Sequence, residues 1–218
     1  MSHMLIDYYK AIEDSSAKML EAAKLKDWDG VVRYEGACAV LIEQLRFKSQ
    51  DGAAVRAEIR AAVAAVQGTA SLLFINDHWR EAIAAGAYGV HLGQEDLDAL
   101  TAPELQELRA SGLRLGVSTH GYAEMLRADA VGPSYIALGA VFPTTLKRMA
   151  TAPQGVARLA AYVRLMRAYP LVAIGGIALE QFPEILATGV GSIAVVRALV
   201  NAPDPEAAAD GLMQAMGK

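Results

Sequence analysis

The chain has a single cysteine, Cys38. That excludes an internal disulfide framework and suits a reducing compartment. The neighbours of Cys38 are apolar and no nucleophile signature surrounds it, so it reads as a small buried side chain. Aromatic residues are scarce, at 6%, which leaves little for base-stacking platforms. There is no basic surplus either: 20 Lys and Arg face 24 Asp and Glu, a net charge of −4. Nucleic-acid partners usually demand the opposite balance. No apolar run reaches the ~18 residues of a membrane span, and no secretory signal is present. Met1-Ser2-His3-Met4 reads as a cloning remnant and is set aside. A cytoplasmic protein is expected, with neither nucleic acid nor membrane as partner.

What the chain has in quantity is apolar residues, 54% of 218, enough for one large α/β core. From Ser71 onward, strand and helix signals alternate. Ser71–Ile75, Tyr88–Leu92, Leu113–Val117, Tyr135–Leu138, Leu171–Ile174 and Ser192–Val196 are short, apolar and often β-branched. Helical patterns fall between them at Trp79–Ala85, Ala102–Ala110, Gly121–Ala128, Gly155–Ala168 and Gln181–Ala187. Gly86, Gly112, Gly132 and Gly189 punctuate the returns to strand, as helix C-caps do. Strands buried on both faces and separated by helices predict a parallel sheet of right-handed βα units. Val40–Arg46 adds an apolar run, for seven strands, and a closed (β/α)₈ barrel needs one more.

Before that run the pattern changes. Leu5, Tyr8, Tyr9, Ile12, Met19, Leu20 and Ala23 recur at helical spacing, as do Val31, Tyr34, Ala37, Cys38, Leu41 and Leu45. The expectation is a helical N-terminal region over residues 1–43, joined to a barrel over 44–218. Whether 39–44 is helix or strand is open.

The chemistry-bearing residues lie where predicted strands end. Asp77 ends one strand and Asp96 follows the next. Neighbouring strands lie about 4.8 Å apart, so both carboxylates can approach one cation. Mg²⁺ commonly takes one or two carboxylates together with substrate phosphate oxygens. Alone, Asp77 would read as a helix N-cap; with Asn76 before it and Asp96 on the next unit, the metal role is preferred. Glu95 and Asp98 read as solvated residues of a first helical turn. Arg46 and Lys48 share one strand face, and Lys147 comes from another loop. His91 is expected to pack beside its strand, His78 to be exposed, and His120 to make a packing or hydrogen-bonding contact.

Seven motifs stand in order. They are Gln-Leu-Arg-Phe-Lys at 44–48, Phe-Ile-Asn-Asp at 74–77 and Gly-Val-His-Leu-Gly-Gln-Glu-Asp at 89–96. Gly-Val-Ser-Thr-His at 116–120, Phe-Pro-Thr-Thr-Leu-Lys at 142–147, Ala-Ile-Gly-Gly-Ile at 173–177 and Ser-Ile-Ala-Val-Val at 192–196 complete the set. From about Gln44 onward the chain resembles thiamine phosphate synthase. The resemblance implies a TIM-type (β/α)₈ barrel, a Mg²⁺ cofactor and two small-molecule substrates, a phosphorylated pyrimidine and a phosphorylated thiazole. It implies that Arg46, Lys48, Asn76, Ser118 and Lys147 contact the pyrimidine's diphosphate, and that Gln44 contacts its ring. Gly176, Val196 and Arg197 would bind the thiazole phosphate with Thr144 beside them. The catalytic charge would come from Arg46, Lys48 and Lys147. Two positions depart from the family pattern: Leu146 stands where a threonine is usual, and Arg197 where a serine is common.

The first residues carry a different likeness. Ala22-Ala23-Lys24-Leu25-Lys26-Asp27-Trp28-Asp29 and Leu41-Ile42-Glu43-Gln44-Leu45 resemble a flagellar export chaperone; a generic amphipathic helix pair is the alternative. A chimera joined near Gln44–Arg46 is one expectation from this overlap. Two rival functions remain at this level, a thiazole tautomerase using His120 and a non-catalytic binding module with an inert barrel. A barrel lacking its first strand would expose sheet edges, and pairing into a homo-oligomer would close them.

Overall fold

The computed structural model describes residues 52–68, 72–144 and 151–216. The run Val40–Arg46 and the region 1–43 lie outside these residues, as do Gln44, Arg46, Lys48 and Lys147.

Six strands appear among the described residues, one for each of the six apolar runs after Ser71. They are β1 (Phe74–Asn76), β2 (Gly89–Leu92), β3 (Arg114–Thr119), β4 (Tyr135–Leu138), β5 (Leu171–Ala173) and β6 (Ser192–Ile193). All pair in parallel, in the sequential order β1 to β6. Sequential parallel order requires a crossover between each pair, and helices supply them. Before β1 comes α1 (Gly52–Val66), then α2 (Trp79–Ala85), α3 (Gln94–Ala99), α4 (Ala102–Ala110) and α5 (Tyr122–Val131). After β4 follow α6 (Gly155–Leu165), a 3₁₀ turn at Leu179–Gln181 running into α7 (Phe182–Leu186), α8 (Arg197–Val200) and α9 (Pro205–Ala215).

Helices α1, α8 and α9 had no counterpart in the sequence pattern. α1 buries Val55, Ile59 and Ala62, one helical face at four- and three-residue spacing. α9 buries Ala209, Leu212 and Met213, and starts at Asp204, whose carboxylate accepts from the amides of Glu206 at 3.1 Å and Ala207 at 3.0 Å. That cap ties down two amides the first helical turn cannot use.

The alternation along each strand decides what faces where. Ile75, Val90, Val117 and Ile136 are fully buried and join the helices in the core. Residues of the opposite parity point to the other face, and there the sheet is sharply curled. Phe74 on β1 and Tyr135 on β4 meet edge to face with ring centroids 5.1 Å apart. In a flat sheet, strands three places apart would lie about 14 Å from each other. Gly89 and Gly116 make the curl possible. A Cβ at Gly89 would lie 2.4 Å from the Phe74 ring, and one at Gly116 would lie 2.2 Å from the Tyr135 ring. The helices therefore cover the convex face, and the concave face carries Phe74, Asn76, His91, Ser118 and Tyr135.

Candidate active site

Asn76 and Asp77 leave β1 where the sheet opens to the loops. Asn76 is buried, and its Nδ2 has no hydrogen-bond partner among the described residues. Asp77 has φ +66°, the only positive φ of a non-glycine residue among those described. Its amide donates to the His91 carbonyl at 2.9 Å, so the ladder continues one residue past β1. Its carbonyl accepts from the Trp79 amide at 2.9 Å. The N-cap position of α2 belongs to His78, whose side chain makes no capping hydrogen bond. The competing use of Asp77 as an N-cap is thus not realised. Aspartate enters the left-handed region more readily than most side chains, and the turn out of β1 uses that tolerance.

Asp96 lies in the first turn of α3, directly after β2. The Gly93 amide donates to its Oδ2 at 3.2 Å. The two carboxylates therefore leave neighbouring strand ends, as expected. Glu95 and Asp98 are exposed, and Asp98 pairs with Arg127 at 3.3 Å.

Ser118 sits on β3, on the concave face. Its Oγ lies 2.7 Å from Nε2 of His91, whose Nδ1 lies 2.7 Å from the Tyr135 hydroxyl. Gln94, also buried, donates from Nε2 to the Ser118 carbonyl at 2.8 Å. This network was not legible beforehand. His91 and Tyr135 are 44 residues apart, and only the shared register of His91, Gly116 and Tyr135 across three strands brings them together.

The turns after β4 and β5 are stitched to one another. The amides of Val141 and Phe142 donate to the carbonyls of Ile174 and Gly175, at 2.9 and 3.0 Å. Gly176 has φ +69°, and a Cβ there would lie 2.4 Å from the Pro143 carbonyl oxygen. Glycine is required for both reasons. The contact sets Gly176 beside the segment that leads into Thr144. Val196 and Arg197 follow β6, with Arg197 exposed at the start of α8.

The histidines sort themselves by their partners. His78 is half-buried rather than exposed. Both the backbone amide and Nδ1 of His120 contact Oε2 of Glu124, at 2.7 and 2.8 Å. That is the hydrogen-bonding role expected of it. Among the described residues no cluster of three or more His, Cys, Asp or Glu forms a metal cage. A two-carboxylate site completed by substrate oxygens does not require one. No helix of the described residues is long and apolar enough to cross a membrane.

A sequential parallel sheet curled around a polar face, with carboxylates, amides and glycine turns at the carboxyl ends of its strands, is the plan of the βα-barrel enzymes. Comparison with known proteins narrows the class. The family model described as thiamine monophosphate synthase matches residues 29–199. The thiamine-phosphate synthase of Neisseria meningitidis serogroup B is 52% identical over 193 residues, 88% of this chain and 91% of the relative. That of Cronobacter sakazakii is 55% identical over 174 residues, 80% of this chain and 81% of the relative. Among solved structures, the thiamine phosphate pyrophosphorylase of Pyrococcus furiosus superposes with a TM-score of 0.71 at 29% identity, covering 85% of this chain and 87% of that one. The chain belongs to the thiamine monophosphate synthase family.

Proposed function

We propose that this protein is a transferase that joins hydroxymethylpyrimidine diphosphate to thiazole phosphate, giving thiamine phosphate and pyrophosphate. The observation that carries the reading is the 52% identity to a thiamine-phosphate synthase across nearly the full length of both chains.

In this reading Asp77 and Asp96 hold Mg²⁺. The residues present suit it: two carboxylates from adjacent strand ends, one of them in a left-handed conformation, beside a buried amide with its donors unspent. Oxygen ligands match a hard cation. When bound, the ion neutralises charge on the diphosphate. The chain's own residues do the rest. Asn76 Nδ2 and the Ser118 hydroxyl donate to diphosphate oxygens. Arg46, Lys48 and Lys147 add positive charge as the carbon–oxygen bond lengthens, stabilising the leaving group most where its charge is greatest. The thiazole nitrogen then captures the pyrimidinylmethyl carbon, and no covalent enzyme intermediate is needed. Gln44 reads the pyrimidine ring. Thr144, Gly176, Val196 and Arg197 hold the thiazole phosphate, with the Arg197 fork replacing a hydroxyl.

In this reading the six parallel strands belong to a TIM-type (β/α)₈ barrel. A cytoplasmic setting accompanies it. The test is direct: supply both phosphorylated heterocycles with Mg²⁺ and measure coupled product and pyrophosphate. Asp77→Asn keeps a residue that tolerates positive φ but removes the charge, and should lower Mg²⁺-dependent turnover on the order of a hundredfold. Undiminished turnover would remove Asp77 from the metal site.

A further inference from the structure

We propose that Tyr135 and His91 are positioning residues that fix Ser118 as a hydrogen-bond donor toward the diphosphate. The inference rests on the reading of Ser118 as a diphosphate contact and adds to it the device that sets its polarity.

A serine hydroxyl has one proton and can point it either way. Against an anion only one choice helps. If the proton is given to His91, Ser118 presents lone pairs to the phosphate oxygens and repels them. If His91 donates to Ser118 Oγ, the serine proton is free to donate outward. The choice is made by the imidazole, and the imidazole is controlled by what its other nitrogen contacts.

That other contact is the Tyr135 hydroxyl, 2.7 Å from Nδ1. A phenol donates readily and accepts poorly, because its oxygen lone pair is shared with the ring. Tyr135 therefore gives its proton to Nδ1. A neutral imidazole that accepts at Nδ1 carries its proton on Nε2. Nε2–H then donates to Ser118 Oγ, 2.7 Å away. Each donor in the chain, phenol to imidazole to serine, leaves the next group's proton directed onward and out to the ligand.

The surroundings hold this arrangement in place. His91 is 5% exposed, so water competes little for its nitrogens. The rings of His91 and Tyr135 lie 25° from parallel with centroids 5.6 Å apart, which limits rotation of both. Phe74 packs edge to face against Tyr135. Gly116 stands between them in the register, and a Cβ there would lie 2.5 Å from the Tyr135 hydroxyl. Gln94 anchors the Ser118 backbone through its carbonyl.

The experiment is a double-mutant cycle on the full chain, with kcat and KM measured for the pyrimidine diphosphate. Tyr135→Phe keeps the ring and its contact with Phe74 and deletes only the hydroxyl. It should reduce kcat/KM about tenfold, the scale of one hydrogen bond to a charged group. Ser118→Ala should cost at least as much. In the Ser118→Ala background, Tyr135→Phe should cost nothing further, since its effect acts through that hydroxyl. Equal losses in both backgrounds would overturn the relay while leaving Ser118 as a contact. An unchanged Ser118→Ala enzyme would overturn both. Independently of turnover, ¹⁵N NMR of the His91 ring should show the Nε2–H tautomer. An Nδ1–H or doubly protonated ring would refute the assigned role of Tyr135.

Discussion

Replacing Gly176 by alanine tests the local structure and the site together. The position has φ +69°, where an L-residue with a Cβ loses roughly 1–2 kcal/mol relative to glycine. The added methyl would also lie 2.4 Å from the Pro143 carbonyl oxygen and 2.7 Å from that of Phe142. Both are backbone atoms, and the Phe142 amide is tied at 3.0 Å to the Gly175 carbonyl. Relief therefore requires the two turns to separate. Overpacking of this kind costs about 1–3 kcal/mol, so the total is about 2–5 kcal/mol. With a urea slope of roughly 2–3 kcal/mol/M, the unfolding midpoint should fall by about 1–2 M. Gly189→Ala is the control. Its φ is +83°, but the nearest atom to a new Cβ, Val163 Cγ1, is 3.9 Å away. Only the backbone cost applies there, roughly 1–2 kcal/mol. Displacement of the segment leading into Thr144 should also raise KM for the thiazole phosphate in Gly176→Ala and leave it unchanged in Gly189→Ala. If the two variants unfold at the same urea concentration with the same KM, the close approach at Gly176 has no energetic weight and the reasoning fails.

Two further outcomes follow from the packing and the surface. Met125 on α5 is fully buried against the sheet; Met125→Ala should cost about 2–5 kcal/mol in chemical denaturation, and a loss below about 1 kcal/mol would mean the site collapses around the gap. Glu104, at the start of α4, has its carboxyl pKa lowered from 4.5 to about 2. The causes are, first, the Thr101 backbone amide, then the Arg80 guanidinium and the Thr101 hydroxyl. A depressed carboxylate stabilises above its unfolded pKa and loses that contribution as pH falls. The stability difference between the parent chain and Glu104→Gln should therefore be constant above about pH 5. It should shrink between 4.5 and about 2, and added salt should weaken it, because the group is exposed. A difference that stays level across that window would detach the capping box from acid stability.

The regular part of this fold was readable because its signals are local. Six apolar runs became six strands, since a strand buried on both faces needs an unbroken apolar stretch wherever it sits. Trp79–Ala85 and Ala102–Ala110 ran as expected because breakers bound both. Gly86 at φ +69° closes the first, and Thr101 with Glu104 opens the second. The helix expected at Gln181–Ala187 came out as a 3₁₀ turn feeding a short helix, with Pro183 in its first turn. Gly155–Ala168 stopped at Leu165, short of its apolar pattern.

The chain order of the motifs was enough to indicate that carboxylates and amides collect at strand ends, because a βα repeat returns every strand in the same direction. It could not indicate which side chains meet across the curled face. His91, Ser118 and Tyr135 come from three strands, and their contacts depend on the register between strands and on the room left at Gly116. Nor could it show that Asp77 sits at positive φ or that Gly176 abuts Pro143. Those are properties of chain segments pressed together from a distance, and no local pattern encodes them. Periodicity in one dimension determined the repeat and the common direction of its strands; packing in three dimensions decided which atoms touch.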